Sequence, residues 1–285
     1  MFLTSFSPPW LRQWFAVAQR WMGGWAQVIN FSAQISVLAF SPSSYRQGQR
    51  DKLLQHVYGA TRPLLLSFTL LSALVALVVI RIVVATSLSY GLTRFALDVL
   101  VRTLVLELIP LSAALAVAVR YSLAAGIEVR DLRASGGFEA AMRRGVDPTR
   151  DIVLPHVLAS TFAVVTLALL SGVVTLLLTY FAVYGFELWG IDNFTRAVGQ
   201  VFSPVIGLIF LMKTLCFSLA VAVIPMVTTP RERLVALQAD SALVGTRTST
   251  QTKKKTSTPA DLARLARLLA VILLTEVLSL VGNYS

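Results

Sequence analysis

Apolar residues follow two different spacings along this chain, and the change from one to the other divides it. Trp10, Leu11, Trp14, Val17, Ala18, Trp21, Met22, Trp25, Val28 and Ile29 recur at helical spacing, while Arg12, Gln13, Gln19, Arg20, Gln27 and Asn30 take the opposite face. Such a helix is expected to lie on a membrane rather than cross it, its indole rings buried and their N–H groups near the headgroups. A soluble helix that docks on a partner is the alternative. Residues 41–62 read as a polar connector with Arg46, Arg50, Lys52 and Arg62. Beyond it come continuous apolar runs, and about twenty apolar residues in a helix span the hydrocarbon of a bilayer. Five runs reach that length. They are Pro63 to Ser89 with Arg81 inside, Phe95 to Ala125 with Asp98, Arg102, Glu107 and Arg120, and Leu154 to Tyr184 with no charge and His156 at its edge. Phe202 to Thr228, with Lys213, and Leu265 to Val281, with Glu276, complete the set. Phe186 to Val201 reads as an interfacial turn or short helix carrying Glu187, Trp189, Asp192 and Arg196. The expected fold is an all-α membrane protein: five transmembrane helices, an N-terminal interfacial amphipathic helix over 1–62 with its connector, and a short helix in a cytoplasmic loop over 126–153 of the 63–285 domain.

Composition agrees with this pattern. Of 285 residues 56% are hydrophobic and 14% charged, and the mean hydropathy of +0.73 is that of an integral membrane protein. The net charge of +11 does not point to nucleic acid, because the cations lie beside the apolar runs. Six Lys and Arg precede the first run, five lie in the loop around Asp147 and eight over 229–267, against Arg94 and Arg196 on the other side. That asymmetry predicts a cytoplasmic N-terminus and, with five spans, a C-terminus outside. The start of the chain lacks the continuous apolar stretch of a cleavable signal peptide. Residues 238–260, rich in Ser, Thr and Lys and including Lys253, Lys254 and Lys255, read as a flexible basic linker, with contact to anionic lipid as the alternative. Cys216 is the sole cysteine and reads as a small core residue.

Motifs that would carry catalysis are missing. There is no G-x-x-x-x-G-K-[ST] phosphate loop, no G-x-S-x-G elbow and no H-E-x-x-H, and the histidines His56 and His156 are far apart without a cysteine companion. No catalytic residue, metal or directly bound cofactor is expected, so energy has to come from a partner or a gradient. In the second run Ala114, Ala118, Ser122 and Gly126 recur every four residues and leave a face small enough for another helix backbone, a candidate subunit contact. A charge within the hydrocarbon costs on the order of 3 kcal/mol on insertion scales, so each needs a partner or a watery path. Glu107 and Arg120 lie roughly 20 Å apart along one helix and cannot pair with each other. Lys213 and Glu276 are the available partners, either as fixed salt bridges or as polar points on a path.

Between Glu128 and Asp151 five acidic and five basic residues balance. Phe138, Ala141 and Met142, with Arg143 and Arg144 beside them, suit a short helix laid into a groove of another protein. Asp147-Pro148 would end that helix and start the next. A plain charged connector is the alternative.

Glu107-Leu108-x-Pro110, Arg120, Glu128, Arg133, Gly145-Val146-Asp147-Pro148-x-Arg150 and Pro155-x-Val157-Leu158-Ala159 follow one another in the order of E-L-x-P, G-R, A-E, M-R and G-V-D-P-x-R...P-R-x-L-A. Lys213-Thr214-x-x-Phe217 matches K-[ST]-x-x-F, and Glu276 falls near an acidic position of a last span. In these features the chain resembles the MlaE/YrbE family of ABC transporter permeases. The resemblance implies a permease paired with a second copy or a sister permease in a bacterial inner membrane. It further implies a cytoplasmic ABC ATPase that uses ATP, an MCE-domain lipid-binding protein on the outer side, and phospholipid or another hydrophobic molecule as cargo. Glu128, Arg133, Phe138, Met142, Gly145, Asp147, Pro148 and Arg150 would then form the ATPase-coupling loop, and Glu107, Arg120, Lys213 and Glu276 would hold the bundle or line the substrate path. The chain departs from the pattern with Gly136-Gly137 in place of Glu-Gln, Val119 in place of a glycine, and a Ser/Thr/Lys linker in place of a Gly-rich stretch with A-T-T. These departures support an alternative, a degenerate member acting as a non-transporting scaffold or regulatory subunit.

Overall fold

A computed structural model describes residues 9–41, 49–91, 93–227 and 259–284. Among these residues all regular structure is helical, and five helices are long and apolar enough to cross a membrane: Arg50–Ser89, Leu97–Ala134, Thr149–Tyr184, Pro204–Met226 and Arg264–Gly282. The chain is a multi-pass all-α membrane protein. The basic linker expected over 238–260 lies outside the described residues except for its last two, which open the fifth helix (Pro259–Tyr284).

The first span corrects the reading of 41–62 as a connector. Its helix begins at Gln49 and runs unbroken to Ser89. At 1.5 Å per residue it is about 60 Å long, twice the hydrocarbon thickness. The polar stretch hides a helical stripe in which Val57, Ala60, Leu64 and Phe68 face the protein core while Arg50, Asp51 and Lys52 stay exposed. The N-terminal helix (Pro9–Phe40) also meets the bundle: Val28 and Ile35 are buried, and Phe31, Leu38 and Ala39 pack against the same core. The side chains of the Trp10 to Met22 part of its expected stripe lie outside the described residues.

The third span sits at the centre, packed most extensively on the first and about equally on the second and fourth, while the fifth leans on the fourth. Lipid tails are as apolar as leucine, so burial alone cannot hold helices together in a membrane, and small residues that let backbones approach take over that role. Ala159, Ser160, Ala163, Ala168, Ser171 and Gly172 of the third span are all buried. Leu169, Val173 and Leu177 point outward.

The small face of the second span is covered within this chain, which corrects its reading as a subunit contact. Ala114, Ala118, Ser122 and Gly126 are buried. Ser122 donates to Ser160 Oγ at 3.1 Å, and a Cβ on Gly126 would lie 2.5 Å from the Pro225 carbonyl oxygen. A contact between two copies has to use another surface.

Around Gly145 the sequence motif is a helix stop followed by a helix start. The loop helix (Gly137–Arg143) is entered at Gly136 and left at Gly145, both at φ +74. Val146 N–H donates to Ala141 O at 3.1 Å and Gly145 N–H to Met142 O at 2.9 Å, the paired bonds of a Schellman cap that a left-handed glycine allows. Two residues later Asp147 Oδ1 accepts from Thr149 N–H at 2.9 Å, and Pro148 follows at a position where its missing N–H costs nothing. At the end of the bundle away from this loop, a short helix (Ile191–Val201) and the residue after it pack Val198, Val201 and Phe202 against Val101, Leu106 and Leu176.

Candidate functional site

Two groups of residues stand out, one inside the bundle and one on the loop between the second and third spans. The second span is a continuous helix over 93–134, but Val101–Leu108 and Ala118–Ser122 within it are π-helical. The N–H of Ile109 closes on the carbonyl of Leu104, five residues back rather than four, and that of Leu123 on Ala118. Each such turn shifts the inward face relative to a regular α-helix, and π-turns are frequent at functional sites. Glu107 lies in the first of them.

Lys213 of the fourth span reaches into this turn. Its ammonium pairs with Glu107, lies 2.9 Å from Glu276 Oε2 of the fifth span, and donates to the Leu106 carbonyl at 3.2 Å. It also sits 5.7 Å from the centroid of the fully buried Phe217 ring. The side chains of Lys213, Glu107 and Glu276 are 1%, 10% and 14% exposed. One cation between two carboxylates thus ties the second, fourth and fifth spans at a single point.

Arg120 does not join them. It stands in the second π-turn with its side chain exposed and has no ion-pair partner among the described residues. It lies roughly 20 Å along the helix from Glu107, towards the loop that joins the second and third spans.

The structure brings together two histidines that the sequence holds apart. His56 and His156 meet edge to face with ring centroids 4.3 Å apart. Tyr121 Oη lies 3.0 Å from His156 Nδ1, and Ser160 Oγ donates to the His156 carbonyl at 2.9 Å. The group joins the first three spans at the end of the bundle that carries the Gly-Val-Asp-Pro loop. Two imidazoles lack the three or four ligands of a usual zinc site, and among the described residues no three metal-binding side chains come together. The signal available in the sequence was the helical stripe through His56, concealed by its polar neighbours.

On the loop the eight residues expected to couple divide by role. Gly145, Asp147 and Pro148 build the turn. Arg133 braces it: one guanidinium N–H donates to the Met226 carbonyl at 3.5 Å, and the group lies 4.7 Å from the Phe138 ring centroid. Phe138 is half-buried against the core, so it does not share an outward apolar patch with Met142, which is exposed. Arg150 is half-buried. Glu128 remains exposed and, with Asp131, Ile127 and Leu132, lines a shallow groove along the helix end; Arg143 and Arg144 border a second groove with Glu139.

The arrangement combines spans tied by buried charge with a capped, charged loop between the second and third spans. The family model described as Permease MlaE matches residues 53–250, well over half the chain. No curated relative matches it. From the family match together with the five spans and the Gly-Val-Asp-Pro turn, the chain is a membrane permease of an ABC-type transporter and belongs to the MlaE permease family.

Proposed function

We propose that this permease moves phospholipid or another hydrophobic molecule between the inner membrane and the cell envelope. An ABC ATPase docks on the loop over 126–153, and an MCE-domain lipid-binding protein stands on the outer side. A second copy or a sister permease completes the core. The N-terminus lies in the cytoplasm, a reading supported by the distribution of Lys and Arg.

The observation that carries this reading is the loop. Its helix is capped at the exit, braced through Arg133 and Phe138, and joined with little slack to the second and third spans. Force applied by nucleotide binding in the ATPase would pass into both spans. Because Lys213 links the second span to the fourth and fifth, these would move together. The Gly136-Gly137 pair serves the same construction: Gly136 takes a left-handed turn, and a Cβ on Gly137 would lie 2.9 Å from the Leu132 carbonyl oxygen. A turn this specific supports coupling over a degenerate scaffold.

The test is gentle purification of the tagged chain from its host, with mass spectrometry of every protein and lipid that accompanies it. An ABC ATPase, an MCE protein and bound phospholipid are expected. Recovery with no ATPase, under conditions that keep a typical relative's complex intact, would instead favour the scaffold.

A further inference from the structure

We propose that the pair of Lys213 with Glu276 is a latch on the half of the fifth span that ends at Gly282, and that this half swings away from the fourth span about Thr275 when the pair opens. The span is held by a single stripe of residues, packed mainly on the fourth span and on the turn Ile224–Met226 that follows it. Its first half is anchored by apolar packing. Leu268 and Ile272 are buried in the same core as Val223, Ile224 and Met226.

Beyond Ile272 the stripe changes character. Every leucine and valine over 273–282 is exposed, and the residue buried there is Ser279. Among the described residues this half therefore meets the bundle through Ser279, through Gly282 beside Ile209, and through the carboxylate of Glu276, 2.9 Å from the Lys213 ammonium. Between the two halves stands Thr275, whose Oγ1 donates to the Val271 carbonyl at 2.9 Å. A hydroxyl bonded to the carbonyl one turn back often bends a helix, so the joint lies where packing gives way to charge.

The buried group is built to release one member. Without Glu276 the Lys213 ammonium keeps Glu107 and the Leu106 carbonyl, so opening strands no cation in the interior. Glu276 itself lies six residues, about 9 Å, from Gly282 at the end of the span, so its carboxylate has a short way to water. A bend of about 20° over the roughly 15 Å from Ile272 to Gly282 displaces the tip by about 5 Å. That uncovers Glu107 and Lys213 from the end of the bundle away from the Gly-Val-Asp-Pro loop. While the latch is closed the fifth span moves with the second and fourth; once it is open, this half parts from them.

The test measures distances by double electron–electron resonance in the full chain, carrying Cys216→Ser and reconstituted in phosphatidylcholine and phosphatidylglycerol vesicles. One pair of nitroxides, on Leu208→Cys and Val281→Cys, reads the latched half; another, on Leu219→Cys and Leu269→Cys, reads the anchored half, and all four positions are exposed. Dilution with unlabelled chain removes distances between copies. Adding Glu276→Gln should lengthen the first distance by about 5 Å, or add a population displaced by that much, and leave the second unchanged. The neutral variant Glu107→Gln, Lys213→Met and Glu276→Gln gives the same reading should the single change fail to assemble. If both distances stay at parental values, packing within the chain or against a second copy holds the span, and the latch is overturned. An equal shift at both ends would mean that the span moves as one body, which overturns the joint at Thr275.

Discussion

Inside the bundle Glu107, Lys213 and Glu276 come from three spans and meet at one ammonium, almost closed to solvent. On the loop between the second and third spans Glu128, Asp131, Glu139, Arg143 and Arg144 are exposed, and the ion pair of Arg143 with Glu139 at 3.7 Å is largely open to solvent on both sides. An exposed pair of this kind contributes almost nothing to stability. The same residue types thus do opposite things. Charge in the apolar interior is tolerable only when partners from other helices complete it, so it records which spans belong together. These five loop charges hold little of the fold and stay accessible to another protein, whereas Arg133 and Asp147 of the same loop build its turn.

The largest effect that would break this contrast is at Lys213. Lys213→Ala strands two carboxylates in the interior, and breaking a buried ion pair typically costs about 3–5 kcal/mol. The variant is expected to lose its monodisperse peak in size-exclusion chromatography and to melt well below the parent. Replacing all three together, as Glu107→Gln, Lys213→Met and Glu276→Gln, should recover most of that loss, because no charge is left without a partner. A triple variant as unstable as Lys213→Ala would mean that packing rather than charge dominates there.

A smaller loss is expected at the covered face of the second span. Gly126→Ala pushes a methyl group into the Pro225 carbonyl, and overpacking of this sort costs about 1–3 kcal/mol. Melting should drop, with no change in subunit count. A change in subunit count at unchanged melting would restore the reading of this face as a contact between copies.

Asp147→Ala sharpens the comparison further. Loss of the cap on Thr149 N–H costs about 1 kcal/mol, and the effect should stay local. Amide exchange is expected to quicken over 137–153 while the buried centre of the third span keeps its protection.

Much of this plan could be read from the residues. The charge-free third span was expected from Leu154 to Tyr184, and its α-helix has those bounds. Lys213 and Glu276 were the partners available to Glu107 because an apolar medium leaves a carboxylate few choices. What escaped the sequence did so for definite reasons. Hydropathy averaged over 41–62 hides a helix with one apolar stripe. Small residues every fourth position show that a backbone comes close, but not that it is Pro225 of the same chain. Nothing local links His56 to His156, which meet only because the first span is longer than the hydrocarbon. In the loop, periodicity put Phe138 and Met142 on one patch, whereas Arg133 draws Phe138 inward. The π-turns were invisible because they follow from how the second span is packed.

The most direct test of the account is how much ABC ATPase is recovered with the chain when only the exposed loop face is altered, by Met142→Ser, Arg143→Glu and Arg144→Glu together. These side chains are exposed and make no more than the solvent-open pair of Arg143 with Glu139, so melting should stay within about 0.5 kcal/mol of the parent, as for ordinary surface changes. ATPase recovery should fall about tenfold or more if the face carries the contact. Parental recovery of ATPase by this variant would contradict the assignment of the loop as the site where the transporter is driven.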